Sequence, residues 1–215
     1  MIPYYRAVRR VSRQIAQAVQ HTVEALRDTR VEHEPAFTDR MLGGIEESLR
    51  GFETHGIIWR AKTLTDRSGQ SQEKKYGADF MGVLDLQLPD YKLTKGFLAQ
   101  AKLVRPFQPI NLADLKEQCE KMLALSPDSF VFLYSHNGVR VVPAISVVSA
   151  NLQPTELYHH SVTRFFEDHL CSYIGDRAIS AANEKALEEL RQRYEARRLL
   201  MLEGKHRLIA HEGEK

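Results

Sequence analysis

The sequence predicts a mixed α/β domain that opens on an amphipathic helix and closes on a helical C-terminal extension. Three observations carry this. Apolar residues first recur at helical spacing, over residues 1–52. The period then changes to that of strands from Gly56 onward, with one capped helix among them. Charge-laced helical spacing returns after about residue 160. The expected organisation is an N-terminal helix over residues 1–33, a core over 34–150 and a helical extension over 151–215.

In the first segment Val8, Val11, Ile15, Val19, Val23 and Leu26 form one stripe, with arginines on the opposite face. Six arginines against Glu24 and Asp28 leave residues 1–30 with a formal charge of +4. An Arg-rich, acid-poor start also suits a transit peptide. The unbroken pattern past Leu26 favours a structural helix instead. A second helix is expected near Pro35, a residue suited to a first turn. Its stripe is Phe37, Met41, Ile45, Leu49 and Phe52, interrupted by Gly43 and Gly44.

Strands are expected at Gly56–Leu64, Gly77–Leu88 and Phe97–Val104. The last two are joined by a turn at Pro89-Asp90-Tyr91. Asn111 caps a helix carrying Leu112, Leu115, Cys119, Met122 and Leu123. Ser129–Ser135 and Val139–Val142 form a hairpin around His136-Asn137-Gly138. Thr163–Tyr173 and a long Ile179–Leu202 segment read as helices.

Composition narrows the function classes. The chain has 215 residues, 43% hydrophobic and 27% charged, with a net charge of +2. One core of useful size is affordable. No apolar run approaches a bilayer span, and no membrane partner is expected. Cys119 and Cys171 lie far apart without a CxxC or Cys/His cluster, which reads as two buried thiols in a reducing cytoplasm. No phosphate-binding glycine loop is present. His33-Glu34 lacks the second histidine of a zinc-protease motif.

The chemistry-bearing residues gather on two expected strands. In Phe97–Val104, Gln100 and Lys102 alternate onto one face of an otherwise apolar strand. Asp79 begins the preceding strand. A turn centred at residues 90 and 91 sets Asp79 opposite Lys102, with Gln100 one step along and Asp85 near the turn. Asp79, the Gln100 side-chain oxygen and the Ala101 carbonyl are hard oxygen ligands suited to Mg²⁺ or Mn²⁺. Lys102 beside a cation can orient or deprotonate an attacking water. Helix phase places Glu46 at the margin of its apolar stripe, able to reach the sheet, and leaves Glu47 solvated.

These residues, Gly-Ala-Asp79 followed by Gln100-Ala101-Lys102 with Glu46 on the helix before, resemble the PD-(D/E)XK nuclease superfamily over about residues 34–145. The form is the Q-x-K variant of Mrr-like restriction endonucleases. Gln100 replaces the commoner acid, which removes one negative charge from the metal site. The resemblance implies a restriction-endonuclease-like core and a Mg²⁺- or Mn²⁺-dependent endonuclease acting on DNA, in restriction or defence against foreign DNA. A non-catalytic nucleic-acid-binding or assembly module, or an RNA-directed nuclease, would keep the same fold. Lys116 and Gln118 on the next helix are candidate phosphate contacts. So are Lys74, Lys75, Lys92 and Lys95, read as exposed. A homodimer through the long C-terminal helix is expected, and a partner subunit could supply specificity.

Overall fold

The N-terminal stripe buries as its spacing dictates. In the computed structural model, which describes residues 4–65, 78–181, 184–194 and 196–210, α1 spans Tyr5–Arg27 with Val8, Val11, Ile15, Val19, Val23 and Leu26 all buried. The next helix, α2, spans Glu34–Ser48 with Pro35 in its first turn; Phe37, Met41 and Ile45 face the core. A methyl group at Gly44 would lie 3.7 Å from the Ala18 carbonyl oxygen of α1, an ordinary contact.

Phe52 leaves the helical stripe and begins β1 (Phe52–Thr54), which forms a hairpin with β2 (Ile57–Thr65). The intervening His55 and Gly56 both adopt positive φ, as tight hairpin turns require. Strands β3 (Phe80–Leu88) and β4 (Tyr91–Leu103) form the next hairpin, turning at Pro89-Asp90. Then follow α3 (Leu112–Leu123), β5 (Ser129–Ser135), β6 (Gly138–Pro143), α4 (Ala144–Ser149), β7 (His160–Ser161), α5 (Val162–Leu170), α6 (Glu184–Arg193), β8 (Arg198–His206) and α7 (Arg207–Ala210). Asn111 caps α3, its side chain accepting from the Asp114 amide.

The eight strands of the described residues join one mixed sheet in the order β1-β2-β8-β3-β4-β5-β6-β7. The β3–β8 and β4–β5 pairs are parallel. One core packs α1, α2 and α5 against one face. The other packs α3, α4 and α6 against the opposite face. Among the described residues, no helix is long and apolar enough to cross a membrane.

The expected helix over Ile179–Leu202 is corrected, and with it the helical C-terminal extension. Only α6 is helical there, and Leu187 and Leu190 turn into the core rather than toward a dimer partner. Arg198–His206 instead enters the sheet between β2 and β3, antiparallel to one and parallel to the other. Leu199, Leu200 and Leu202 are buried there. Two complete ladders and burial on both faces outweigh the helical preference of Leu, Met and Glu.

The chain crosses from α5 to α6 beside the lower half of β4. Gly96 and Asp176 exchange backbone hydrogen bonds of 2.9 and 2.7 Å. Ile179 packs so closely over Gly96 that an added Cβ would come within 2.4 Å of its Cγ2.

Candidate active site

β4 outruns its neighbour. Phe80, the first residue of β3, pairs with Ala99, so among the described residues the edge of β4 beyond that point faces no strand on that side. In a strand, the N–H and C=O of alternate residues point to the same side. The Ala101 N–H, the Ala101 carbonyl and the Leu103 N–H therefore line up along this open edge. Two carboxylates occupy it. Asp79 accepts from the Ala101 N–H at 2.9 Å, and Glu34 accepts from the Leu103 N–H at 3.1 Å. The two donors lie about 7 Å apart, the rise of two strand residues. The Ala101 carbonyl sits between them.

Asp79 is buried, and its own amide donates to the Ala99 carbonyl at 2.8 Å. The register places it opposite Gln100, not Lys102. The turn is centred between residues 89 and 90, one residue earlier than the sequence suggested, and each residue of centre shift moves the partner by two. Asp79, Gln100, Ala101 and Lys102 are still gathered at one end of the sheet.

Gln100 is 0% exposed. Its amide nitrogen donates to the Ala101 carbonyl at 3.3 Å, while Oε1 is buried without a hydrogen-bond partner among the described residues. An orphaned buried oxygen costs about 1–3 kcal/mol. Lys102 is half-buried and makes no ion pair among the described residues. It lies near Cys119 of α3, whose thiol burial pushes up to about 12 while the lysine charge pulls the other way.

Glu46 does not join this site. Its carboxylate accepts from the Thr63 N–H at 3.0 Å, on β2, which β8 separates from β3. β1 covers only Ile57–Trp59, so Glu46 caps an amide on the uncovered side of β2. Helix phase gave the right side of α2 but not the right end. Glu34 and Glu46 are twelve residues apart, about 18 Å along the axis. Glu47 is solvated, paired with Arg50 at 2.9 Å.

The remaining phosphate candidates scatter. Lys74 and Lys75 lie outside the described residues. Lys92 is exposed but pairs with Gln87 beside the β3–β4 turn, at the far end of the sheet. Lys95 is buried rather than exposed, its ammonium donating to the Ile174 carbonyl. Lys116 donates to Asn151 at 3.0 Å. The Gln118 side-chain oxygen is buried without a partner among the described residues.

Several residues that the sequence reading passed over surround the carboxylates. Arg198, at the start of β8, forks onto Asp39 and donates to the Pro35 carbonyl at 3.3 Å, pinning the first turns of α2. Hydrogen bonding to Asp39, helped by the charges of Asp39 and Asp79, holds its pKa above the usual value. Tyr134 stacks on Phe37 with ring centroids 4.1 Å apart and shares a 3.1 Å hydrogen bond with Thr38. Burial raises its phenol pKa, and the Asp79 and Glu34 charges raise it further. The signal for Glu34 was available, since it is the acid directly before Pro35 in an expected first turn. Arg198 carried none, because its segment read as helix.

Among the described residues no group of three or more His, Cys, Asp or Glu side chains is arranged to hold a metal. The hard oxygens at this edge are two carboxylates and one backbone carbonyl, while Gln100 turns its amide nitrogen rather than Oε1 toward that carbonyl. No family model matches the chain, and no curated protein or solved structure matches it.

Proposed function

We propose that this protein is a metal-dependent phosphodiesterase of the PD-(D/E)XK kind that hydrolyses DNA. The observation that supports it most is the open edge of β4, where Asp79 and Glu34 flank the Ala101 carbonyl next to Lys102. Asp79, Glu34 and the Ala101 carbonyl would hold Mg²⁺ or Mn²⁺, and Gln100 Oε1 would join them once its amide turns over. When bound, the ion supplies Lewis-acid polarisation of the scissile phosphate and acidifies the water beside it. Lys102 orients the attacking water and offsets the charge that builds on the phosphoryl oxygens. Water adds in line, the P–O bond to the leaving sugar breaks, and a phosphate monoester and a hydroxyl result. Arg198 acts through α2, holding Glu34 against β4. A cytoplasmic role in restriction or defence, with a second copy or another subunit supplying specificity, follows only from the resemblance.

The test is cleavage of plasmid and linear DNA with Mg²⁺ or Mn²⁺, comparing the parent with Asp79→Ala, Glu34→Gln and Lys102→Ala. Loss of cleavage in all three is expected. Cleavage that survives Asp79→Ala and Lys102→Ala removes this site from consideration. Parallel assays on RNA separate a ribonuclease.

One observation favours a second reading. Gln100 is neutral and fully buried, leaving two carboxylates where metal sites of this kind commonly carry three. DNA binding without cleavage under every metal would assign the fold to a non-catalytic binding module.

A further inference from the structure

β4 leaves the candidate site through a short loop, Arg105-Pro106-Phe107-Gln108-Pro109, before α3 begins. Arg105 and Gln108 pair across it, with the Gln108 amide donating to the Arg105 carbonyl at 3.3 Å. At its tip Phe107 is 104% exposed, the most exposed of the large apolar side chains among the described residues. Its φ is +60°, a left-handed conformation that a bulky residue rarely adopts. An aromatic ring held in solvent on a strained backbone contributes nothing to folding.

The loop is braced from both sides. The Arg105 guanidinium donates to the Glu32 carbonyl at 3.3 Å, two residues before Glu34. Downstream, Ile110 and the Gln153 side chain exchange hydrogen bonds of 3.1 and 3.4 Å. Pro106 and Pro109 restrict the backbone between these anchors. Phe107 is thus presented by a stiff turn. Four residues of chain separate it from Lys102, and the five steps between them span at most about 18 Å.

We propose that Phe107 is a wedge that stacks on, or inserts beside, a nucleic-acid base while the candidate site holds the backbone. Charge favours nucleic acid over a protein surface. Arg105 spends its hydrogen bond on a neutral carbonyl, and among the described residues neither Arg105 nor Lys102 has an acidic partner. A rigid exposed aromatic near cations that form no ion pair is the chemistry that takes a base and its phosphate together. The proposal rests on the nucleic-acid reading of the site but not on cleavage.

The experiment measures binding in EDTA, so that no cleavage is required. Fluorescence-labelled duplex and single-stranded DNA are titrated with the parent, Phe107→Ala and Phe107→Asn. Asparagine removes the ring while tolerating the left-handed backbone, so it separates loss of stacking from relief of strain. Both variants should unfold at no lower temperature than the parent and bind DNA about tenfold more weakly, within the range of one base–aromatic stack. In Phe107→Trp, the introduced exposed indole should be strongly quenched by DNA, whereas the native Trp59 is buried and insulated. Unchanged affinity in both ring-deleting variants together with an unquenched indole overturns the proposal, as does absence of DNA binding by the parent. Self-association that Phe107→Ala abolishes, with DNA affinity unchanged, overturns it in favour of a second copy of this chain. Ring-dependent binding without cleavage in Mg²⁺ would uphold the wedge while removing the catalytic reading.

Discussion

Lys95 offers a test of the fold that needs no assumption about function. Its side chain is 2% exposed on β4, and its ammonium donates to the Ile174 carbonyl in the α5–α6 crossing. Burial lowers its pKa from 10.5 to about 8, against the raising influence of Asp128 and Cys171 and with a further lowering from Arg177. Below pH 8 the folded and unfolded chains both carry the proton, and the full desolvation cost is present. Between about 8 and 10.5 the unfolded chain binds the proton more tightly, so stability rises with pH across that window. At about 1.4 kcal/mol per pH unit, the interval is worth about 3 kcal/mol. The perturbation is Lys95→Met, which keeps the length and removes the charge. Urea unfolding of parent and variant at pH 7 and pH 10, with reductant to protect the thiols, isolates the lysine as the difference between the two proteins. The parent should gain about 2–3 kcal/mol relative to the variant on going from pH 7 to pH 10. A difference that stays flat, or falls as pH rises, would refute the burial of Lys95 as a charge.

Other expectations concern the site and the packing. Glu34→Gln and Asp79→Ala should each lower Mg²⁺-dependent DNA cleavage by about a hundredfold or more, whereas Glu46→Ala should leave cleavage intact and cost about 1–2 kcal/mol in urea unfolding through the orphaned Thr63 amide. Gly43→Ala should stabilise by about 1 kcal/mol, because a methyl group there meets nothing within 4 Å. Gly96→Ala should destabilise by about 1–3 kcal/mol, because its Cβ would strike Ile179 and the Gly82 carbonyl at 2.4 and 2.5 Å. Cys119 and Cys171 are buried, and burial raises both thiol pKa values. Both should resist a thiol reagent under native conditions and react on unfolding.

What the sequence shows and what it hides follows from the range of the forces involved. Ser129–Ser135 is a strand as read, because its residues bury on both faces and its ends are marked by turn residues. The stripe of α1 was equally plain, being a local consequence of helical spacing. β8 was not legible. Arg198-Leu-Leu-Met-Leu-Glu holds good helix formers, and only pairing with β2 and β3, more than a hundred residues away, makes it a strand. The site shows the same division. Asp79, Gln100 and Lys102 could be placed near one another by hairpin symmetry, because the turn is local. Which end of α2 meets β4 depends on the Arg198 fork to Asp39, a contact across 159 positions that no helical phase contains.

The insertion of β8 also sets the order of assembly. Residues 57–65 and 80–88 emerge early in synthesis, yet neither has its central neighbour until residue 206 has been made. The nascent chain carries two naked strand edges through most of translation, and its final step is a search of very high contact order. A protein built this way is expected to fold slowly. A ribosome-stalled or truncated chain ending before residue 198 should be captured by holdase chaperones or pair edge to edge with its copies. Adding residues 198–206 back as a separate peptide should supply the missing rung and suppress that aggregation.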